Sequence, residues 1–88
     1  MRLFYSSQFK KDFKKIQSQG KNVSQLGITV EALLKKQSLY PKYRDHKFIG
    51  KWKNHRDCHI EPDWILIYRL TEDSLILERT GSHSELFK

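Results

Sequence analysis

The stretch His59-Ile60-Glu61-Pro62-Asp63-Trp64-Ile65-Leu66-Ile67-Tyr68-Arg69-Leu70-Thr71-Glu72-Asp73-Ser74-Leu75-Ile76-Leu77-Glu78-Arg79-Thr80-Gly81 decides the fold. Residues 64–70 form an apolar run rich in β-branched and aromatic side chains, the composition of a buried strand. Glu61-Pro62-Asp63 and Thr71-Glu72-Asp73 bracket it with residues that favour turns. Residues 52–60 before it and 74–81 after it read as flanking strands, so the C-terminal half is an antiparallel meander.

Working outward, residues 2–5 are short and β-prone and give a first strand, after which Ser6 or Ser7 offers a helix cap. Phe9, Phe13 and Ile16 recur at i, i+4 and i+7 and predict a helix to about Ser18, with Lys10, Lys11, Lys14 and Lys15 on its other faces and Gly20 as its stop. Ser24 offers a second cap. Leu26, Val30, Leu33 and Leu34 carry the helical spacing on to about Gln37, with Gly27 costing ~1 kcal/mol against Ala. Residues 38–44, with Pro41, read as a loop. The expected fold is α+β, in the order β-α-α-β-β-β: a small antiparallel sheet with two N-terminal helices packed on one face.

Composition bounds what such a chain does. Eighty-eight residues suit one domain, 1–88, and 38% hydrophobic residues are too many for obligate disorder. The longest apolar run, Trp64 to Tyr68, falls far short of the ~20 residues that span a bilayer. Leu3-Phe4-Tyr5 is likewise shorter than the ~7–15 apolar residues of a secretory signal, so a cytoplasmic protein is expected. Cys58 is the single cysteine, which excludes an intrachain disulfide and any Cys-x-x-Cys pair. Net charge is +7 and unevenly spread: residues 1–56 hold fourteen basic and three acidic residues, residues 57–88 three and seven. Such a surface attracts nucleic acid or an acidic protein. A membrane surface is disfavoured, because the apolar residues are already needed inside.

The meander brings chemistry to one edge. The 52–60 strand ends where the 64–70 strand begins, and the 74–81 strand ends on that same edge, so His59, Asp63 and His83 should cluster. An extended segment over residues 46–49, reversing at Gly50-Lys51, would return His46 toward them. A pair of imidazoles, titrating near pH ~6.5, supplies one base and one acid at neutral pH. RNA cleavage needs that pair, one to take the proton of the attacking 2′-hydroxyl and one to protonate the departing 5′-oxygen, with no metal or other cofactor required in principle. Lys51, Lys53, Arg56 and Arg79 are the cations available to neutralise the phosphoryl oxygens.

Each of these residues also has a plainer reading. Any one histidine is more often a hydrogen-bonded surface group than a catalyst. The lysines of the first helix read first as a solvated face, and Trp52 and Trp64 as packing. His59-x-x-x-Asp63 straddles Pro62 and so lacks the helical presentation of a metal pair. Cys58 alternates with His59 and faces inward, whereas His55 shares the His59 face by the same alternation. Phe87 is either a packing plug or an exposed aromatic.

Asp45-His46, Gly50-Lys51-Trp52-Lys53, the block from Arg56 to Tyr68 and the ending Glu78-Arg79-Thr80-Gly81-Ser82-His83-Ser84-Glu85-Leu86-Phe87 resemble the YafQ branch of the RelE/ParE toxin superfamily, over nearly the whole chain. The resemblance implies a RelE-like microbial RNase fold and a type II toxin: a ribosome-dependent endoribonuclease that cuts messenger RNA in the ribosomal A site and halts translation. It implies a cognate antitoxin of the DinJ or RelB kind, with operator DNA reached only through that antitoxin. The family's functional set carries over onto His46, His59, Asp63, His83 and Phe87. His83 and His59 are then the leading proton-transfer groups, with Asp63 orienting a histidine and His46 assisting. Arg79 would hold the scissile phosphate and Phe87 would position a base. Two alternatives remain at this point, a ParE-like non-catalytic toxin that binds gyrase and an RNA-binding module without catalysis.

Overall fold

A computed structural model describes residues 2–35 and 55–87 and, as backbone, residues 46–47. The chain runs β1 (Arg2–Tyr5), α1 (Ser7–Ser18), α2 (Val23–Leu34), β2 (His46–Lys47), β3 (Arg56–Glu61), β4 (Trp64–Leu70), β5 (Ser74–Gly81) and α3 (His83–Leu86). One five-stranded sheet has the order β1-β5-β4-β3-β2.

Helix α1 starts at Ser6, whose Oγ accepts the Phe9 N–H at 2.9 Å and donates to the Glu78 carbonyl at 2.6 Å. The cap thus satisfies a helix end and ties the β1–α1 corner to β5. The helix stops as expected at Gly20, whose φ of +75° lets its own N–H reach the Gln17 carbonyl and the Lys21 N–H the Ile16 carbonyl. Helix α2 begins two residues earlier than expected. Asn22, not Ser24, is the cap, its Oδ1 accepting from the Ser24 N–H at 3.1 Å. The helix closes at Leu34, and Gln37 lies outside the described residues.

The three strands of the meander pair antiparallel, β3 with β4 and β4 with β5, and the two-residue β2 adds antiparallel to β3. The exception is β1, which lies parallel to β5 in the register Arg2 to Ser74 through Tyr5 to Leu77. The sheet is therefore mixed and not purely antiparallel. A first strand whose partner comes some 70 residues later can enter from either direction, and here the intervening chain acts as the long crossover that parallel pairing requires.

One core joins Phe9 and Ile16 of α1, Leu26 and Leu33 of α2 and the inward side chains Cys58, Ile60, Trp64, Leu66, Tyr68, Leu75 and Leu77 of the sheet. Both N-terminal helices thus cover one sheet face, and Cys58 faces inward as expected. Strand β4 is buried on both sides, since Ile65 and Ile67 are covered on the other face by Leu86 and Phe87. That explains its unbroken apolar run, because a strand wet on one face would alternate. Fully burying a side chain of this size is worth ~1.5–3 kcal/mol, so β4 is the chief anchor of the fold. No helix among the described residues is long and apolar enough to cross a membrane.

Candidate functional site

Two turns of chain meet at the end of the sheet where β3 leads into β4 and β5 leads into α3. Pro62 and Asp63 make the first turn, just after a register shift between His59 and Glu61. Such bulges re-aim side chains at sheet rims. The Pro62 carbonyl lies 3.3 Å from His59 Nδ1. A carbonyl only accepts, so the bond places the ring proton on Nδ1 and leaves Nε2 as the lone-pair nitrogen of the neutral ring.

The second turn is Ser82, which caps α3. Its Oγ accepts the Glu85 N–H while the Glu85 carboxylate accepts the Ser82 N–H at 2.9 Å, a reciprocal capping box. The pair is legible in the sequence as Ser82-x-x-Glu85. A four-residue helix has no periodicity to betray it, however, and α3 was absent from the expected element order. Asp63 Oδ1 accepts the His83 N–H at 3.0 Å, binding one turn to the other. Leu86 is buried against Ile65 and Ile67. The His83 ring lies 4.8 Å from that of Phe87, tilted by 48°. Phe87 is half-buried against Ile65, Ile67 and Leu86, so it is a packing plug whose ring also backs that of His83.

Helix α3 is held to α1 as well. Lys15 Nζ pairs with Glu85 Oε2. That contact, followed by donation from the Ser82 backbone and hydroxyl, holds the Glu85 carboxyl down to about 2.

His59, Asp63, His83 and Phe87 therefore come together through the two turns, with Asp63 and His83 exposed and His59 half-exposed. The backbone of His46 pairs with Asp57, two residues from His59 on β3. Its side chain, like Lys51 and Lys53, lies outside the described residues. Arg56 is half-buried on β3 opposite Tyr68. His55 precedes β3, and its Nε2 sits 3.0 Å from Glu78 Oε2, where Arg69 Nε also approaches at 3.6 Å. Trp64 is core, its Nε1 donating to Thr80 Oγ1 at 2.8 Å.

Arg79 has a partner that sequence reasoning missed. Its Nε and Nη2 donate to Asp12 Oδ2 and Oδ1 at 2.8 and 3.2 Å. Asp12 is only 7% exposed and also accepts from the Thr80 N–H and the Gln8 amide. The signal was present: Asp12 sits beside Phe9, Phe13 and Ile16 on the apolar stripe of α1, and a carboxylate there needs a cation opposite. A hollow of about 660 Å³ lies between α1 and α2 and is walled mostly by apolar side chains. Among the described residues the charged groups lining it are Lys10, Lys14 and Glu31, and none of the histidines borders it. No group of three metal-ligating side chains forms among the described residues.

The chain matches, over residues 1–88, the family described as "Bacterial toxin of type II toxin-antitoxin system, YafQ". It is 45% identical over 84 residues to a relative from Escherichia coli K12 named "mRNA interferase toxin YafQ", covering 94% of this chain and 91% of that one. Its fold superposes on the crystal structure of YafQ from E. coli BL21(DE3) with a TM-score of 0.95, at 42% identity and full coverage of both chains. It superposes on the toxin in the E. coli DinJ-YafQ complex with a TM-score of 0.92, at 43% identity and again over both whole chains. With a match that runs from the first residue to the last, through both turns that carry the histidines, this chain belongs to the YafQ family of toxins from type II toxin–antitoxin systems.

Proposed function

We propose that this protein is an mRNA interferase, an endoribonuclease that cuts translated messenger RNA in the ribosomal A site and is held in check by an antitoxin like DinJ. The reading is supported by the E. coli relative's activity and by one structural observation: the Pro62–Asp63 turn is bonded to the His59 ring on one side and to His83 on the other. One imidazole and the backbone of a second histidine held to one turn suit in-line displacement at phosphorus, in which base and acid act on opposite sides of the reacting atom.

His59 Nε2, the unprotonated nitrogen of that tautomer, takes the proton of the 2′-hydroxyl as that oxygen attacks phosphorus. The bond from phosphorus to the 5′-oxygen breaks, and protonated His83 gives that oxygen a proton. The products are a 2′,3′-cyclic phosphate and a free 5′-hydroxyl. Asp63 acts on His83 through the backbone, holding the first residue of α3, and so orients the imidazole. Phe87 backs the His83 ring and offers an aromatic edge to a base. His46 assists from β2. Lys51, Lys53, Arg56 and Arg79 spread positive charge around the phosphate oxygens.

The net charge of +7 suits both ribosomal RNA and an antitoxin segment rich in acidic residues. The experiment is expression of the wild type and of His83→Ala, followed by primer extension on abundant messages. Discrete cuts within translated frames with the wild type, and none with His83→Ala although the variant still binds its antitoxin, are expected. Messages that stay whole while DNA breaks accumulate would replace this reading with gyrase poisoning. A fully toxic His83→Ala would remove His83 from the chemistry.

A further inference from the structure

Asp12 stands outside the mechanism above, yet it is the most completely satisfied carboxylate among the described residues, with four donors converging on it. Because Nε and Nη2 form one edge of the guanidinium, the pairing is side-on, and the fork geometry leaves the adjacent, end-on edge, Nη1 and the outer hydrogen of Nη2, with no other bond among the described residues. A recess of about 250 Å³ adjoins this site, lined by Lys11, Lys15, Asp12, Arg79 and Glu85 together with Gln8 and Thr80. Three cations and two carboxylates leave the recess with a surplus of one positive charge, which matches a phosphodiester.

We infer that Asp12 is a positioning residue: it grips Arg79 side-on so that the end-on edge, with Lys11 beside it, receives a phosphate of the RNA strand. The inference rests on the reading of Arg79 as a phosphate contact. A buried carboxylate is well suited to the task. Two charge-assisted bonds fix both the position and the plane of the guanidinium, which a swinging arginine at the surface would have to order anew on binding each substrate. The same carboxylate holds the Thr80 N–H, two residues before the Ser82 cap, so the phosphate contact and the start of α3 share one support.

A double-mutant cycle tests this. The rate of cutting of a reporter message in a cell-free translation reaction is measured for the wild type, Asp12→Asn, Arg79→Ala and the double variant, each checked for an intact thermal transition. Asp12→Asn is expected to slow cutting by about tenfold or more. In the Arg79→Ala background the same substitution should cost nothing further, because its effect passes through Arg79. Equal losses in both backgrounds would show that Asp12 acts on folding alone and overturn the inference. Arg79→Lys is a second arm, which decides the matter if Asp12→Asn does not fold. Lysine keeps the charge pair with Asp12 but lacks a second edge, so slowing of about tenfold or more is expected, and full activity would overturn the inference. Undiminished cutting by Arg79→Ala would instead remove Arg79 as a phosphate contact, a different failure from either of these.

Discussion

Replacing Glu85 with Gln probes how α3 is fastened. The substitution keeps an oxygen able to accept the Ser82 N–H but deletes the charge paired with Lys15. In the folded protein the carboxyl is held from its ordinary 4.5 down to about 2. At 1.36 kcal/mol per pKa unit the whole shift, to which the Ser82 backbone and hydroxyl also contribute, would be worth about 3 kcal/mol in a dry site. The Lys15 side chain is 59% exposed and that of Glu85 26%, so solvent screens the pair and ~1 kcal/mol is the figure to expect. In a domain of this size that lowers Tm by ~4–8 °C at neutral pH. The sign of the pH dependence follows from the direction of the shift. The folded state favours the ionised form, so the stabilisation is complete above the unfolded pKa of about 4.5 and fades as pH falls toward about 2. Thermal melts of both proteins, followed by circular dichroism between pH 7 and pH 2.5, should converge as the pH drops. A Tm difference that stays constant across this range, or no difference at pH 7, would refute the account of the Lys15–Glu85 latch.

Further outcomes follow from single contacts. Gly20→Ala should cost ~1 kcal/mol in urea denaturation, because Gly20 has a φ of +75° with nothing near its missing Cβ, so only backbone strain changes; an unaltered midpoint would contradict that geometry. Trp64→Phe should cost about 2–3 kcal/mol by the same measurement, through the cavity left and the lost donor to Thr80. Leu86→Ala should lower stability by about 2 kcal/mol and speed hydrogen exchange at the Leu86 and Phe87 amides, since Leu86 covers Ile65 and Ile67 on the sheet face away from α1 and α2. Protection unchanged at those amides would mean that α3 is held by its polar contacts alone.

Much of the fold was legible because the signals are local. Phe9, Phe13 and Ile16 gave α1, Gly20 gave its end and Ser6 or Ser7 its start, and the turns at Pro62-Asp63 and Glu72-Asp73 divided the meander. From the meander alone it followed that His59, Asp63 and His83 share one end of the sheet. The cap of α2 was misplaced because Asn22 and Ser24 are both good caps, and a choice between such neighbours is made by where the chain leaves α1. The partner of Arg79 was missed because Asp12 was counted among the charges of a lysine-rich helix and not as a member of its buried stripe.

By itself the sequence determined which residues pair with water and which with the core, hence the helices, the strands and the rim on which the histidines gather, since each of these depends on periods of two to four residues. Only the tertiary structure decided the parallel entry of β1 beside β5, the register shift at Ile67/Tyr68 that turns Thr80 inward to meet Trp64 and Asp12, and the bond from Asp63 to the first residue of α3. Those features join residues some 16 to 72 positions apart, and no local preference can select among the ways of closing so long a loop. Packing of the finished core does.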